Sequence, residues 1–206
     1  AQSFTLGGPI IKDKAFFYVT YEETTVTNPV LYGPAGSGAA NEQAITLAQV
    51  DNIRQITINK YGWDPLGVAS TTESNQENTS LRVDYILNEN HRLTYNYKST
   101  EGDRLRASGS NSSFYFESAS YFKGEKTDTS SILLVSDWSD NLVSEIYYSN
   151  KSTDTSQESP AGQNVPNFYI DDAYGMRVYL GADIYRSANE LATETDFLKA
   201  KLTYYT

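Results

Sequence analysis

The chain contains no cysteine, one histidine and one methionine among its 206 residues. Without thiols it has no disulfide framework, no thiolate metal cluster and no cysteine nucleophile. A serine-type triad would have to use His91, which follows directly on the polar turn Asn88-Glu89-Asn90, where a surface residue is the default. Positive charge is scarce as well. Sixteen Lys and Arg stand against 26 Asp and Glu, a formal net charge of −10, which argues against nucleic acid as a partner. Long apolar runs are missing too. The longest, Ala15–Val19 and Ile132–Val135, fall well short of the ~18–20 residues of a spanning helix. A membrane β-barrel is untouched by that argument, because alternating strands hide from hydropathy averages, and a mean hydropathy of −0.52 does not weigh against one.

What the chain has in quantity is tyrosine: 17, against 8 Phe and 2 Trp. A tyrosine is an apolar ring with a wet hydroxyl, which suits a boundary between hydrocarbon and water. The dominant pattern is alternation with period 2. Phe4 and Leu6 alternate with Ser3 and Thr5, and the turn Ile11–Lys14 leads into Ala15–Glu22. Leu81, Val83, Tyr85 and Leu87 alternate with Arg82, Asp84 and Ile86. After Asn88–Asn90, Leu93, Tyr95 and Tyr97 alternate with Arg92, Thr94, Asn96 and Lys98. A third pair runs Ser131–Ser139, turn Asp140-Asn141, Leu142–Ser149. Further strands are expected at Gly175–Leu180 and at the C-terminal segment, where Leu198, Ala200 and Leu202 oppose Lys199, Lys201 and Thr203, about eight in all. The turns are a few residues long. The links 24–76, 101–127 and 153–173 are long and rich in Ser, Thr, Asn, Gly and Asp. Short turns at one end and long links at the other describe an antiparallel up-and-down meander in an outer membrane. A compact soluble domain seldom carries such links without a function for them.

One helix is expected inside the first link. Thr46-Leu47-Ala48-Gln49 reads as a capping box, Leu47, Val50, Ile53 and Ile56 recur at helical spacing, and Tyr61-Gly62 precedes Pro65 as a stop. The helix is expected to pack on neighbouring loop residues, and Gly33–Gly38 before it reads as flexible linker. Because both ends of the chain fall within strand pattern, it is read as a piece of something longer; a mature protein starting on a strand is the alternative.

Alternation by itself leaves two architectures open. In water the apolar face would be buried on a second layer, and in a bilayer it would meet lipid while the other face lines an interior. The face opposite the apolar one carries Arg82, Asp84, Arg92, Asn96, Lys98, Glu145, Lys199 and Lys201, which is also how a soluble sheet is solvated. Tyr21, Tyr85, Tyr95, Tyr97, Tyr148 and Tyr204 fall on apolar faces near expected strand ends. Trp138 stands just before a turn, as a residue of a periplasmic aromatic girdle would.

The opening Phe4-Thr5-Leu6-Gly7-Gly8-Pro9-Ile10-Ile11-Lys12-Asp13-Lys14-Ala15-Phe16-Phe17 resembles the first barrel hairpin of TonB-dependent outer-membrane receptors of the Oar-like branch. More generic agreement comes from 51–64, from Leu81–Tyr85 before Asn90–Thr94, and from Ala188-Asn189-Glu190-Leu191. The resemblance implies a bacterial outer-membrane receptor that binds and imports a ligand. Its large closed barrel would be plugged by a domain of the same longer chain and energised by the inner-membrane TonB complex through segments not present here. Its partners would be outer-membrane lipid and an extracellular ligand or protein. About eight strands cannot close so large a barrel, so this chain would be an arc of wall with its outer loops. Two rivals stand beside this reading: a secreted β-sandwich that binds through its loops, and a complete small eight-stranded barrel.

The opening motif also has a reading of its own. Gly7-Gly8 suits a bend or the close approach of another backbone, such as a plug, and Pro9 ends regular pairing before the turn. No residue carries a catalytic role in this reading, and no cofactor or metal is assigned. Asp171, Asp172, Asp183 and Glu190 are weighed as a Ca²⁺ loop against a solvated acidic loop without EF-hand spacing, and the latter is preferred. Gly33–Gly38 lacks the Lys-Ser/Thr of a phosphate loop. Three Asn-X-Ser/Thr sites, at Asn78, Asn111 and Asn150, are of the kind that arise by chance in such a composition. The remaining candidates are aromatic. Phe114, Tyr115 and Phe116, with Tyr121 and Phe122, either grip a ligand in the outer loops or form the upper end of a tall strand.

Overall fold

A computed structural model describes residues 1–162, 164–186 and 189–206. Ala188, in the last stretch that carries the family resemblance, lies outside the described residues. The protein is all-β with a single α-helix. Seven long antiparallel strands form one meander: β1 (Gln2–Ile11), β2 (Ala15–Pro29), β5 (Thr71–Asn88), β6 (His91–Arg106), β8 (Tyr121–Ser139), β9 (Leu142–Glu158) and β12 (Asn189–Tyr204), paired in that order. The tight turns around Asp13, Glu89 and Asp140 all fall at one end and the long links at the other, as the sequence suggests. β1 pairs with β2 and β12 with β9, so the sheet is an open arc.

Two expectations about the strands need correction. The strand expected at Gly175–Leu180 exists as β11 (Met176–Leu180), but it is no part of the wall: it pairs with β10 (Phe168–Ala173) and with β7 (Ser113–Tyr115) in a small separate sheet. The wall therefore has seven strands. The strands are also far longer than their apolar stretches. β8 spans 19 residues and β9 spans 17, where five or six is usual, because Ser/Thr/Asn-rich sequence that reads as loop continues the ladder. Cross-strand hydroxyl contacts such as Thr127–Thr153 (3.1 Å) support this polar extension.

The three links fold together into one module with its own dry core. Helix α1 (Leu47–Tyr61) follows the parallel pair β3 (Tyr32–Ala35) and β4 (Asn41–Thr46). The capping box is formed: Thr46 Oγ1 accepts from Gln49 N–H, and Gln49 Oε1 accepts from Thr46 N–H. Gly62, at φ 77°, closes the C-terminus with its N–H on Ile58 C=O, a left-handed position that favours glycine. Val50 and Ile53 are buried against Ile45, Phe114, Phe116, Met176, Val178 and Leu180, while Leu47 and Ile56, expected on the same stripe, are exposed. Gly33–Gly38 is not a flexible linker. Gly33 and Pro34 are buried in β3, and the N–H groups of Gly36 and Gly38 both donate to Glu42 Oε1 at 3.1 Å. The backbone donors that a phosphate loop would offer are already taken by that carboxylate. Ser118 ties the links together: its Oγ accepts from Gly181 N–H and its carbonyl accepts from Ser159 Oγ–H.

Candidate lipid-facing surface and outer module

Strand register decides which side chains share a face. One ladder row reads Gly8, Phe17, Val83, Tyr95, Ile132, Tyr148, Leu198 across all seven strands. The next row toward the turns reads Ala15, Tyr85, Leu93, Leu134, Ile146, Ala200. The eight polar residues assigned to the other face by alternation all fall there in the structure. Among them Arg82 grips Asp84 through Nε and Nη2 (2.7 and 2.9 Å), Thr94 Oγ1–H donates to Asp84, and Lys201 lies 3.5 Å from Glu145. All six tyrosines named from the sequence lie on the apolar face.

That apolar face has no second layer on it among the described residues. Leu198 and Leu202 are 71% and 69% exposed, and Phe4, Leu6, Ile132 and Ile146 are exposed as well. Leu81 and Tyr95 are half-buried by their neighbours in the sheet. A contiguous apolar surface of this kind is unusual for a protein face that meets water.

The band has a definite height and slope. On β5, β9 and β12 it covers Leu81–Leu87, Leu142–Tyr148 and Leu198–Tyr204, seven residues or roughly 23 Å each, near the ~25 Å apolar belt of outer-membrane barrels. Its upper limit follows Phe4, Tyr21, Leu81, Tyr97, Ile132, Tyr148 and Leu198. Measured against the ladder rows, this boundary descends by four residues from β1 to β12. Four residues are about 13 Å, spread over interstrand spacings totalling about 29 Å, which is a slope of roughly 25°. A flat boundary cutting tilted strands gives such a drift, here shallower than the ~35–45° tilt typical of closed barrels.

Above the band the same face turns acidic within one or two rows. Tyr97 O–H donates to Asp128 Oδ1 (2.7 Å) and Tyr148 O–H to Asp196 Oδ1 (2.6 Å), so both rings stay in the band while their hydroxyls reach the polar side. These tyrosines lie at the band's edge, not at the strand ends where the sequence reading put them, because the strands run on past them. At the turn end Trp138 Nε1–H donates to Ser144 Oγ (2.8 Å), and its ring meets His91 edge-on at 5.2 Å. His91 thus belongs to the lower aromatic edge of the band.

The glycine pair at the start is also explained locally. A Cβ on Gly7 would sit 2.9 Å from Tyr18 Cδ2, so the close neighbour is the ring of the adjacent strand, on the polar face. Pro9 still pairs opposite Phe16 on the edge strand, and the register breaks only between Pro9 and Ile11.

The aromatic ligand candidates separate into two groups. Phe114 and Phe116 lie 5.1 Å apart edge to face in the module core and form no tall strand's end; Phe116 is fully enclosed, while Phe114, 3% exposed, borders a cavity between the module and the strand tops. Tyr115 stacks on Tyr179 at 4.3 Å, and burial, then the neighbouring phenol, pushes its hydroxyl above the usual tyrosine range. Tyr121 and Phe122 start β8, opposite Arg106 and Leu105, with Tyr121 half-buried and Phe122 exposed. Of the five, Tyr115, Tyr121 and Phe122 keep more than a few per cent of their surface accessible. The acidic loop resolves differently: Asp171 accepts from Arg177 Nε–H at 2.6 Å, and the described residues contain no cluster of carboxylates and imidazoles that could hold a metal. In the module, the Arg54 guanidinium holds the Asp64 carboxyl below its ordinary range through two hydrogen bonds (2.8 and 2.7 Å), against the opposing effect of burial.

Sequence reasoning missed Gln43, which lies in a wall between the module and the strand tops. The signal was present in the short alternation Glu42-Gln43-Ala44-Ile45, whose second and fourth members are buried. No family model, curated protein or solved structure matches the chain.

Proposed function

We propose that this chain is an arc of the wall of an outer-membrane β-barrel receptor of the TonB-dependent type. In this reading its apolar band faces hydrocarbon, its Arg/Asp/Lys-bearing face looks into the barrel interior, and its three-link module stands outside the membrane. The observation that carries the proposal is the band itself. It is exposed, crosses all seven strands, has nearly the height of the apolar belt of outer-membrane barrels, slopes in the sense that tilted strands give, and ends at tyrosines whose hydroxyls reach carboxylates. The opening hairpin motif supports the narrower family reading, with its plug and its TonB-driven uptake of an external ligand. Transport, not catalysis, is the role that fits.

The β-sandwich reading requires a second layer across Leu81, Tyr95 and Leu202, and the small-barrel reading requires β1 to pair with β12. Neither arrangement occurs in the arc. The test is insertion. A Trp63→Phe variant folded into vesicles of lipids brominated at graded acyl depth should lose its Trp138 emission most strongly with shallow bromines. A Trp placed at Leu134 in a Trp63→Phe, Trp138→Phe background should instead be quenched by deep ones. Equal quenching at every depth, or none, would overturn the membrane reading.

A further inference from the structure

Between the strand tops and the module lies a cavity of about 410 Å³, within the range of small-molecule sites. Tyr32, Gln43, Ala69, Ala107, Ser110 and Tyr115 are among its walls. None of its lining side chains is a carboxylate, ammonium, guanidinium or imidazole, in a chain of net charge −10. The contrast with the upper wall is sharp: a second recess there is lined by Glu77, Glu101, Asp103, Glu125, Lys126 and Asp154. The neutral cavity instead presents serine and threonine hydroxyls, backbone groups and two phenols against an apolar floor.

Gln43 gives this wall a fixed polarity. Its side chain is 5% exposed, and its Nε2 donates to both Ser110 C=O (2.7 Å) and Ser113 C=O (2.8 Å). Those two carbonyls settle the amide orientation, since the flipped form would set oxygen against oxygen. Oε1 is therefore an acceptor, and no group among the described residues donates to it. A buried acceptor without a donor is costly, so a ligand O–H or N–H reaching it gains more than the same contact would in water. Oε1 itself is shielded from solvent, so a ligand must displace part of the wall to reach it.

We infer that this cavity binds a neutral, hydroxyl-rich ligand of sugar type, with Gln43 Oε1 accepting one of its hydroxyls and Tyr32 and Tyr115 flanking its ring. A charged ligand would leave water for a site without a counter-charge and is disfavoured. The inference does not depend on which face of the wall meets lipid.

The experiment is saturation-transfer NMR on the protein in lauryldimethylamine oxide, a detergent without a sugar head. The neutral probes are methyl glucoside and N-acetylglucosamine, and the charged ones gluconate and glucosamine. The neutral probes should bind, and the charged ones should bind at least about tenfold more weakly. Ala69→Trp and Ala107→Trp each put a bulky ring into the cavity while leaving residue 43 as Gln, and each should abolish the signal while the module's melting transition persists. Absence of binding by both neutral probes, equal binding of the charged ones, or unchanged binding in a folded cavity-filling variant would each overturn the inference.

Discussion

The wall and the module are made by one chain, yet they are held together in opposite ways. The module is ordinary protein chemistry: Phe116, Ile45, Val178 and Leu180 are completely enclosed, and the surrounding backbone is tied by capping and cross-link hydrogen bonds. The wall has almost no interior. Its order comes from ladder hydrogen bonds and cross-strand pairs, and one of its faces carries an uncovered band of apolar side chains. In the proposed reading that band meets hydrocarbon in place of water. The proposal thus gives the two regions different solvents, and that difference can be tested by perturbing each in turn.

The largest effect is expected in the module. Phe116→Ala should cost about 3–5 kcal/mol of local stability and expose links 30–70, 107–120 and 159–188 to protease, while the wall keeps its amide protection. Hydrogen exchange separates the two; collapse of both regions together would mean that they are one cooperative unit. Next comes the wall. Leu134→Lys, inside the band on β8, should cost roughly 2–4 kcal/mol for the protein folded into vesicles, whereas Thr94→Lys on the other face should cost far less. Equal costs on the two faces would remove the distinction between them. Thr46→Ala breaks the capping box and should lower module stability by about 1 kcal/mol, read as earlier melting of α1 by circular dichroism.

The smallest effect concerns pH. Asp64 has a folded-state pKa held below its unfolded value by Arg54, so its contribution is present above the ordinary carboxylate range and lost as the pH falls through the lowered value. Both partners are more than a third exposed, so solvent screening keeps this below ~1 kcal/mol. The module's melting temperature should fall slightly faster in acid for the native chain than for Asp64→Asn.

Much of this architecture is legible from residue pattern. The alternation of Leu81–Leu87, Leu93–Tyr97 and Leu198–Leu202 assigns faces correctly, because a strand's side chains have a strict period of two. The capping box at Thr46 is local chemistry within four residues and is equally readable. The strand extensions are not, because the Ser/Thr-rich segments 121–130 and 150–158 look like loop in isolation. They become strand only because each has a neighbour that continues the ladder. Phe114 and Phe116 look like an exposed aromatic grip because nothing nearby in sequence reveals that residues 45, 53 and 178 close over them.

The amino-acid order by itself thus determined the meander, its polar and apolar faces, the helix and its two ends, since each depends on contacts within one turn or one hairpin. Only the tertiary structure decided that three distant links share one core, that Gln43 is walled in beside a neutral cavity, and that the apolar face stays uncovered. Those facts depend on which segments meet across 60 to 130 residues of chain, and a periodic pattern carries no record of its distant partners.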